Sequence, residues 1–176
     1  MCCAPADKVA AVVQLHDDRA AGRLPLPLAS ACPVLPVEDA GRPARPELIP
    51  YTAVPRRKPG SPEGHAALLH AIAHIEFNAI NLALDCVYRF RGLPDDYYDS
   101  WLQVAREEAH HFGLVSARLA DLGFAYGDFP AHRGLWDMAV KTAAAPLARM
   151  ALVPRVLEAR GLDATPPIVA SLRRIG

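Results

Sequence analysis

Apolar residues return at helical spacing through most of the chain beyond residue 60. Leu69, Ile72, Ala79/Ile80, Ala83 and Val87 form one stripe at intervals of three and four, the pattern of an amphipathic helix. The run "SPEG" ahead of it supplies a start, with Ser61 as N-cap, Pro62 at the first helical position and Glu63 near the positive end of the dipole. Arg89 and Arg91, then Gly92 and Pro94, supply the stop. A second stripe (Trp101, Val104/Ala105, Phe112, Val115, Leu119, Leu122) predicts a helix from Asp95 or Asp96 to near Gly123. With only about four residues between them, the two helices should pack as an antiparallel hairpin. A third helix is expected from about Leu135 to Arg160, stopping at Gly161 and kinked by Pro146 and Pro154. A short helical piece, "PPIVASLRR", follows.

The first 60 residues read differently. "ADKVAAVVQLHDDRAAG" fits one short helix over 6–22, ending near Gly22. Eleven of the 17 prolines then fall within the first 62 residues, so residues 23–60 must be mostly extended or irregular. Leu24, Leu26, Leu28, Val34, Leu35, Leu48, Ile49 and Tyr51 give that stretch something to bury. It is therefore expected as an arm lying across a helical domain over 61–176, within an all-α protein. No repeat, no strand-like alternation of useful length and no glycine-rich phosphate loop is found.

At 176 residues and 52% apolar content the chain suits one globular domain with a substantial core. Nineteen basic residues balance nineteen acidic ones, which is a poor footprint for a nucleic-acid partner. No run approaches the roughly 18–20 apolar residues of a membrane span, so no membrane association is expected. Cys2, Cys3, Cys32 and Cys86 show no CxxC spacing and no secretory signal precedes them, which points to the cytoplasm.

Two glutamates break the apolar pattern. Glu76 lies four after Ile72 and four before Ile80, on the stripe itself, and Glu108 keeps company with Val104, Ala105 and Phe112. Each lies about 16 residues from the turn, so in an antiparallel hairpin both reach the same height, about 24 Å away. His111, one turn beyond Glu108, joins them. Two bare carboxylates sharing an apolar site would force one to hold a proton, and a divalent cation removes that cost. Glu facing Glu-x-x-His is half of the di-iron or di-manganese site of ferritin-like bundles, and Glu158 on the third helix is a candidate for the other half.

Ordinary ion pairs compete with this reading. Arg89 and Arg118 are the alternative partners of Glu76, though neither lies at its height, and Glu158 has Arg155 and Arg160 nearby. A second frame, Glu107 with His110, falls off the stripe and is expected in water. His70 and His74 have the spacing of a helical zinc pair but project to the side of the stripe, so surface or capping histidines are expected there, with a supporting role for His74 beside the metal as the alternative. The loop carrying Tyr126, Asp128, His132 and Trp136 is expected to be ordered and well packed.

"ALLHAIAHIEFNAINLALDCVYRF", "VAREEAHHFGLVSARLADLGFAYGDFPAH", "GLWDMAVKT" and "LVPRVLEARGLD" together resemble an uncharacterised ferritin-like family, domain of unknown function 455. "GRLPLP" and "VPRRKPGSPEG" extend the likeness over nearly the whole chain. The resemblance implies a ferritin-like antiparallel bundle with a carboxylate-bridged di-iron centre, manganese being the other candidate, and Glu76, Glu108, His111 and Glu158 as matching ligands. It also implies a further helix bearing a second Glu-x-x-His about 32 residues after Glu158, on the spacing from Glu76 to Glu108. On that reading the fourth bundle helix is missing here and an apolar seam is left open. The expected function is an oxygen-activating oxidoreductase acting on an unknown small molecule. The alternatives are a non-enzymatic helical scaffold, able to form a homodimer through that seam, and a zinc protein using His70 and His74.

Overall fold

The computed structural model of the chain describes residues 3–24, 33–55, 60–155, 166, 169 and 170. Its long elements follow the sequence pattern closely. Helix α1 spans Pro5–Ala20 and ends as Gly22 turns to φ 70°. Helix α2 spans Pro62–Arg89 and starts where the Gly64 amide donates to Ser61 Oγ at 3.0 Å, as the cap sequence requires. Helix α3 spans Asp95–Asp121, with Gly92 at φ 71° making the turn between the two. Among the described residues no strand forms; one isolated bridge links Leu48 to Ala131.

The hairpin core explains the antiparallel packing. Ala73, Phe77, Ile80 and Ala83 of α2 meet Ala105, Ala109 and Phe112 of α3, with Val12 of α1 closing the cluster. Small residues at 73, 83, 105 and 109 let the backbones approach, and the Phe77 and Phe112 rings fill the remaining space at 5.5 Å between centroids. Each fully buried aromatic or aliphatic side chain contributes about 1.5–3 kcal/mol. Tyr98 pins the turn by donating to Phe90 O at 3.0 Å while accepting from the Leu93 amide at 3.1 Å.

Beyond residue 133 the structure corrects the expectation of one kinked helix. Helix α4 ends after eight residues (Gly134–Lys141), and helix α5 begins only at Pro146 and runs to Met150, followed by a π-helical turn, Ala151–Arg155. Ala145 is extended (φ −141°, ψ 112°), the conformation a following proline enforces, so the chain breaks ahead of Pro146 instead of bending through it. A buried polar network holds the broken piece. Arg149, fully buried, donates to Asp85 Oδ2 at 2.7 Å, Thr142 Oγ1 at 2.7 Å and Ala139 O at 2.6 Å. Arg89 takes the other side of Asp85 at 2.8 Å. One carboxylate on α2 thus anchors two guanidinium groups and fixes α5 against the bundle.

The arm does lie across the domain. Ile49 and Ala131 exchange backbone hydrogen bonds with the opposite segment, and the Trp136 indole donates to Glu38 O at 3.2 Å. Two of its apolar residues nonetheless stay in water: Leu35 is 62% and Tyr51 71% exposed. Leu26 and Leu28 lie outside the described residues.

Helix α2 is apolar along most of its length. By length and composition it is long and apolar enough to cross a membrane, with half of its most apolar window buried inside the bundle. Packing on several sides accounts for this, since α3, α4 and the 124–133 loop all cover it.

Candidate metal centre

The hairpin brings Glu76, Glu108 and His111 to one point. Buried Ala73, Phe77 and Ile80 flank Glu76, while buried Ala105, Ala109 and Phe112 flank Glu108. Interdigitation of those residues sets the height at which the two carboxylates emerge. One donor atom from each of the three side chains lies within 4.8 Å of the others. His111 Nδ1 stands 3.3 Å from Glu108 Oε2 and 3.9 Å from Glu76 Oε2.

The trio sits at the margin of the core. Side-chain exposure is 20% for Glu76, 24% for Glu108 and 52% for His111, so the site is walled by the hairpin on one side and open on the other. Ile75, next to Glu76 in sequence, and Leu114, three residues beyond His111, are 49% and 58% exposed.

Burial, reinforced by a hydrogen bond to Glu108 and by the charge of that neighbour, pushes the Glu76 carboxyl up to about 8. In the absence of a cation the two acids are therefore compatible at neutral pH because Glu76 keeps its proton. A divalent metal offers the same relief and displaces that proton. Two carboxylates and one imidazole form an oxygen-rich set with a single nitrogen, which suits iron, manganese or zinc. The donor set fits a transition metal, and its open side leaves room for further ligands.

The competing ion pairs are accounted for elsewhere. Arg89 is engaged by Asp85 and Arg118 by Asp121, at 2.8 and 3.6 Å. Glu107 is exposed and accepts from Gln103 Nε2, and His110 is exposed. Glu158, the fourth expected ligand, lies outside the described residues, as do the side chain of Arg155 and the whole of Arg160.

His70 and His74 require a correction. They are buried, not at the surface, because the loop after α3 folds back over this side of α2. Gly127 donates its amide to His70 Nε2 at 2.9 Å. That contact needs a glycine, with φ 112° and the Arg45 side chain only 3.1 Å from where a Cβ would stand. His74 Nε2 lies 3.0 Å from His132 O and Nδ1 2.9 Å from the Tyr126 hydroxyl. A carbonyl can only accept, so Nε2 carries the proton and Nδ1 accepts from the phenol. Burial pushes His70 down to about 4 and lowers His74 as well, so both are neutral. Both nitrogens of His74 and Nε2 of His70 are thus engaged within the fold.

Tyr126 does more than order its loop. It is the hub of that side, stacked on His70 at 5.3 Å and edge-on to Phe112 at 5.2 Å. The alternation of aromatic and glycine in "GFAYGDF" was the available signal.

A family model described as "Protein of unknown function (DUF455)" matches residues 1–176. An uncharacterized protein of Haemophilus influenzae is 56% identical over 134 residues, a match covering 72% of this chain and 46% of that protein. The chain thus spans about half the length of that relative. No solved structure matches.

Proposed function

The chain belongs to the DUF455 family, and from that premise we propose that it is a ferritin-like protein whose Glu76, Glu108 and His111 hold a redox-active transition metal. The observation that carries this reading is the convergence of the three donors from two helices, with Glu76 holding a proton in a cation's stead. Such a centre, completed to two irons or two manganese ions by Glu158 and further donors, would supply two-electron reduction of dioxygen coupled to oxidation of a small molecule. The chain's own residues have defined tasks in this reading. Glu76 gives up its proton as the metal enters. In the metal-free protein Glu108 holds His111 Nδ1 toward Glu76, and that nitrogen is the one that would face the ion. Ala73, Phe77, Ala109 and Phe112 exclude water from the inner side. We place this chemistry in the cytoplasm on the cysteine pattern alone.

Iron loading tests the proposal. Purified protein given ferrous iron without oxygen, then desalted, should retain iron and consume dioxygen when air is admitted. Glu108→Ala and His111→Ala should do neither. Iron retained equally by Glu108→Ala would contradict the proposal.

A second reading rests on the exposed Ile75 and Leu114 beside the trio. An apolar face of this kind suits a helical scaffold that docks another helix or a second copy. A stable dimer in metal-free protein, measured by analytical ultracentrifugation, supports it; a monomer that binds iron supports the first.

A further inference from the structure

The hairpin that carries the metal trio has a seam of half-buried residues along one side. On α2 these are Leu68, Ile72, Glu76 and Ala79, at intervals of three and four, and on α3 Trp101, Val104, Glu108 and Val115. One helical pair offers such a seam to another in a bundle. Helix α1 does not cover it. It packs on the far side of α3, where Arg19 pairs with Asp99 at 2.7 Å. Glu108 lies nine residues beyond Asp99, two and a half turns on, and so projects the opposite way. Helix α5 meets α2 beside the turn, through Arg149 at Asp85 and Cys86. Among the described residues the middle of the seam stays open, with the His111 side chain 52% exposed there.

The trio also stands at mid-length of both helices. Glu76 is the fifteenth of 28 residues in α2, and Glu108 the fourteenth of 27 in α3. A two-fold axis through the trio would therefore lay two copies antiparallel, with the hairpins overlapping along their length. At about 1.5 Å per residue and about 10 Å per helix, the overlapping face is about 40 Å long and about 20 Å wide. Its area, about 800 Å² per copy, is that of a standard stable interface.

Ligand chemistry points the same way. One trio offers two carboxylates and one imidazole, whereas a two-fold pair offers four carboxylates and two imidazoles. That set has a Glu from each of two helices and a Glu-x-x-His from each of the other two, the donors of a two-metal bundle site. Two divalent cations balance the charge of four carboxylates; without them, like charges would hold the copies apart. Resting on the metal reading above, we infer that the centre is shared: a second copy of the chain docks on this seam and supplies the further donors, its own Glu76, Glu108 and His111. The metal ions then join the two copies.

Sedimentation velocity of the full chain, with metal analysis of the sedimenting species, tests the inference. Metal-free protein should run as a monomer, and manganese(II) should convert it to a dimer holding one ion per chain. Glu108→Ala should stay monomeric in manganese. Leu68→Arg alters the seam about 12 Å along α2 from Glu76 and touches no ligand. It should keep the helical circular dichroism of wild type, lose the dimer and bind manganese roughly 10-fold or more weakly, because half of the donors are gone. Manganese held one per chain by a monomer would overturn the shared centre and leave the metal reading standing. A dimer that forms equally in Glu108→Ala, or in folded Leu68→Arg, would overturn it as well. Protein that binds no manganese at all would overturn the metal reading itself, and the shared centre with it.

Discussion

Two groups of polar side chains leave α2 within one turn of each other and end in opposite conditions. His70 and His74 turn toward the 124–133 loop, where Gly127 engages His70 Nε2, Tyr126 and His132 engage both nitrogens of His74, and burial keeps the rings neutral. Glu76 turns toward α3, where it meets another carboxylate and an exposed imidazole, and burial beside Glu108 raises its carboxyl to about 8. Motif spacing alone favours neither side, since both present ligand types at helical intervals. Satisfaction of hydrogen bonds separates them: the histidine side is closed by the fold, whereas the glutamate side is unfinished. The comparison teaches that a polar cluster becomes a candidate site when its own structure leaves its chemistry incomplete.

Exchanging damage between the two sides should give the largest effects. His74→Leu strands the Tyr126 hydroxyl and the His132 carbonyl, so unfolding in urea should show a loss of about 2–4 kcal/mol while metal binding persists in the folded fraction. Glu108→Ala should leave stability nearly unchanged yet cost more than the roughly 10–100-fold in metal affinity that removal of a mere supporting residue costs. A Glu108→Ala protein that unfolds readily but keeps its metal would erase the distinction.

The pH dependence of the metal-free protein separates the sides next, and the signs are opposite. Glu76 is raised above its ordinary 4.5, so the folded state holds a proton that the unfolded chain releases. Its contribution makes stability fall as pH rises from 4.5 to about 8, and Glu76→Gln should remove that slope. His70 is lowered to about 4, so the unfolded chain takes a proton that the folded state refuses. Stability should therefore fall as pH drops from 6.5 toward 4, a slope that Glu76→Gln leaves in place. Urea midpoints measured across pH 4 to 9 on both proteins check the two signs. The smallest effect is expected at the open face. Ile75→Ser and Leu114→Ser should each change the stability of the monomer by no more than about 0.5 kcal/mol, and a larger loss would mean that this face is covered in solution.

Much of this frame was legible in the chain. Caps and stops bound α2 and α3 to within a residue or two, and equal spacing from the turn sets Glu76 opposite Glu108. Both readings are local, set by 3.6-residue periodicity and by Ser, Pro and Gly at the ends. What escaped is non-local. The burial of His70 and His74 depends on a loop some 55 residues away folding back over α2. The break before Pro146 is anchored by Arg149 reaching Asp85, 64 positions earlier, which no window of sequence reveals.

The most direct test of the central claim is the count of protons released as metal binds. Manganese(II) titrated into lightly buffered metal-free protein at pH 7 should bind and release close to one proton per chain, the proton held by Glu76, with Glu76→Gln losing both the binding and the release. Binding that proceeds without proton release, or that survives unchanged in Glu76→Gln, would contradict the account.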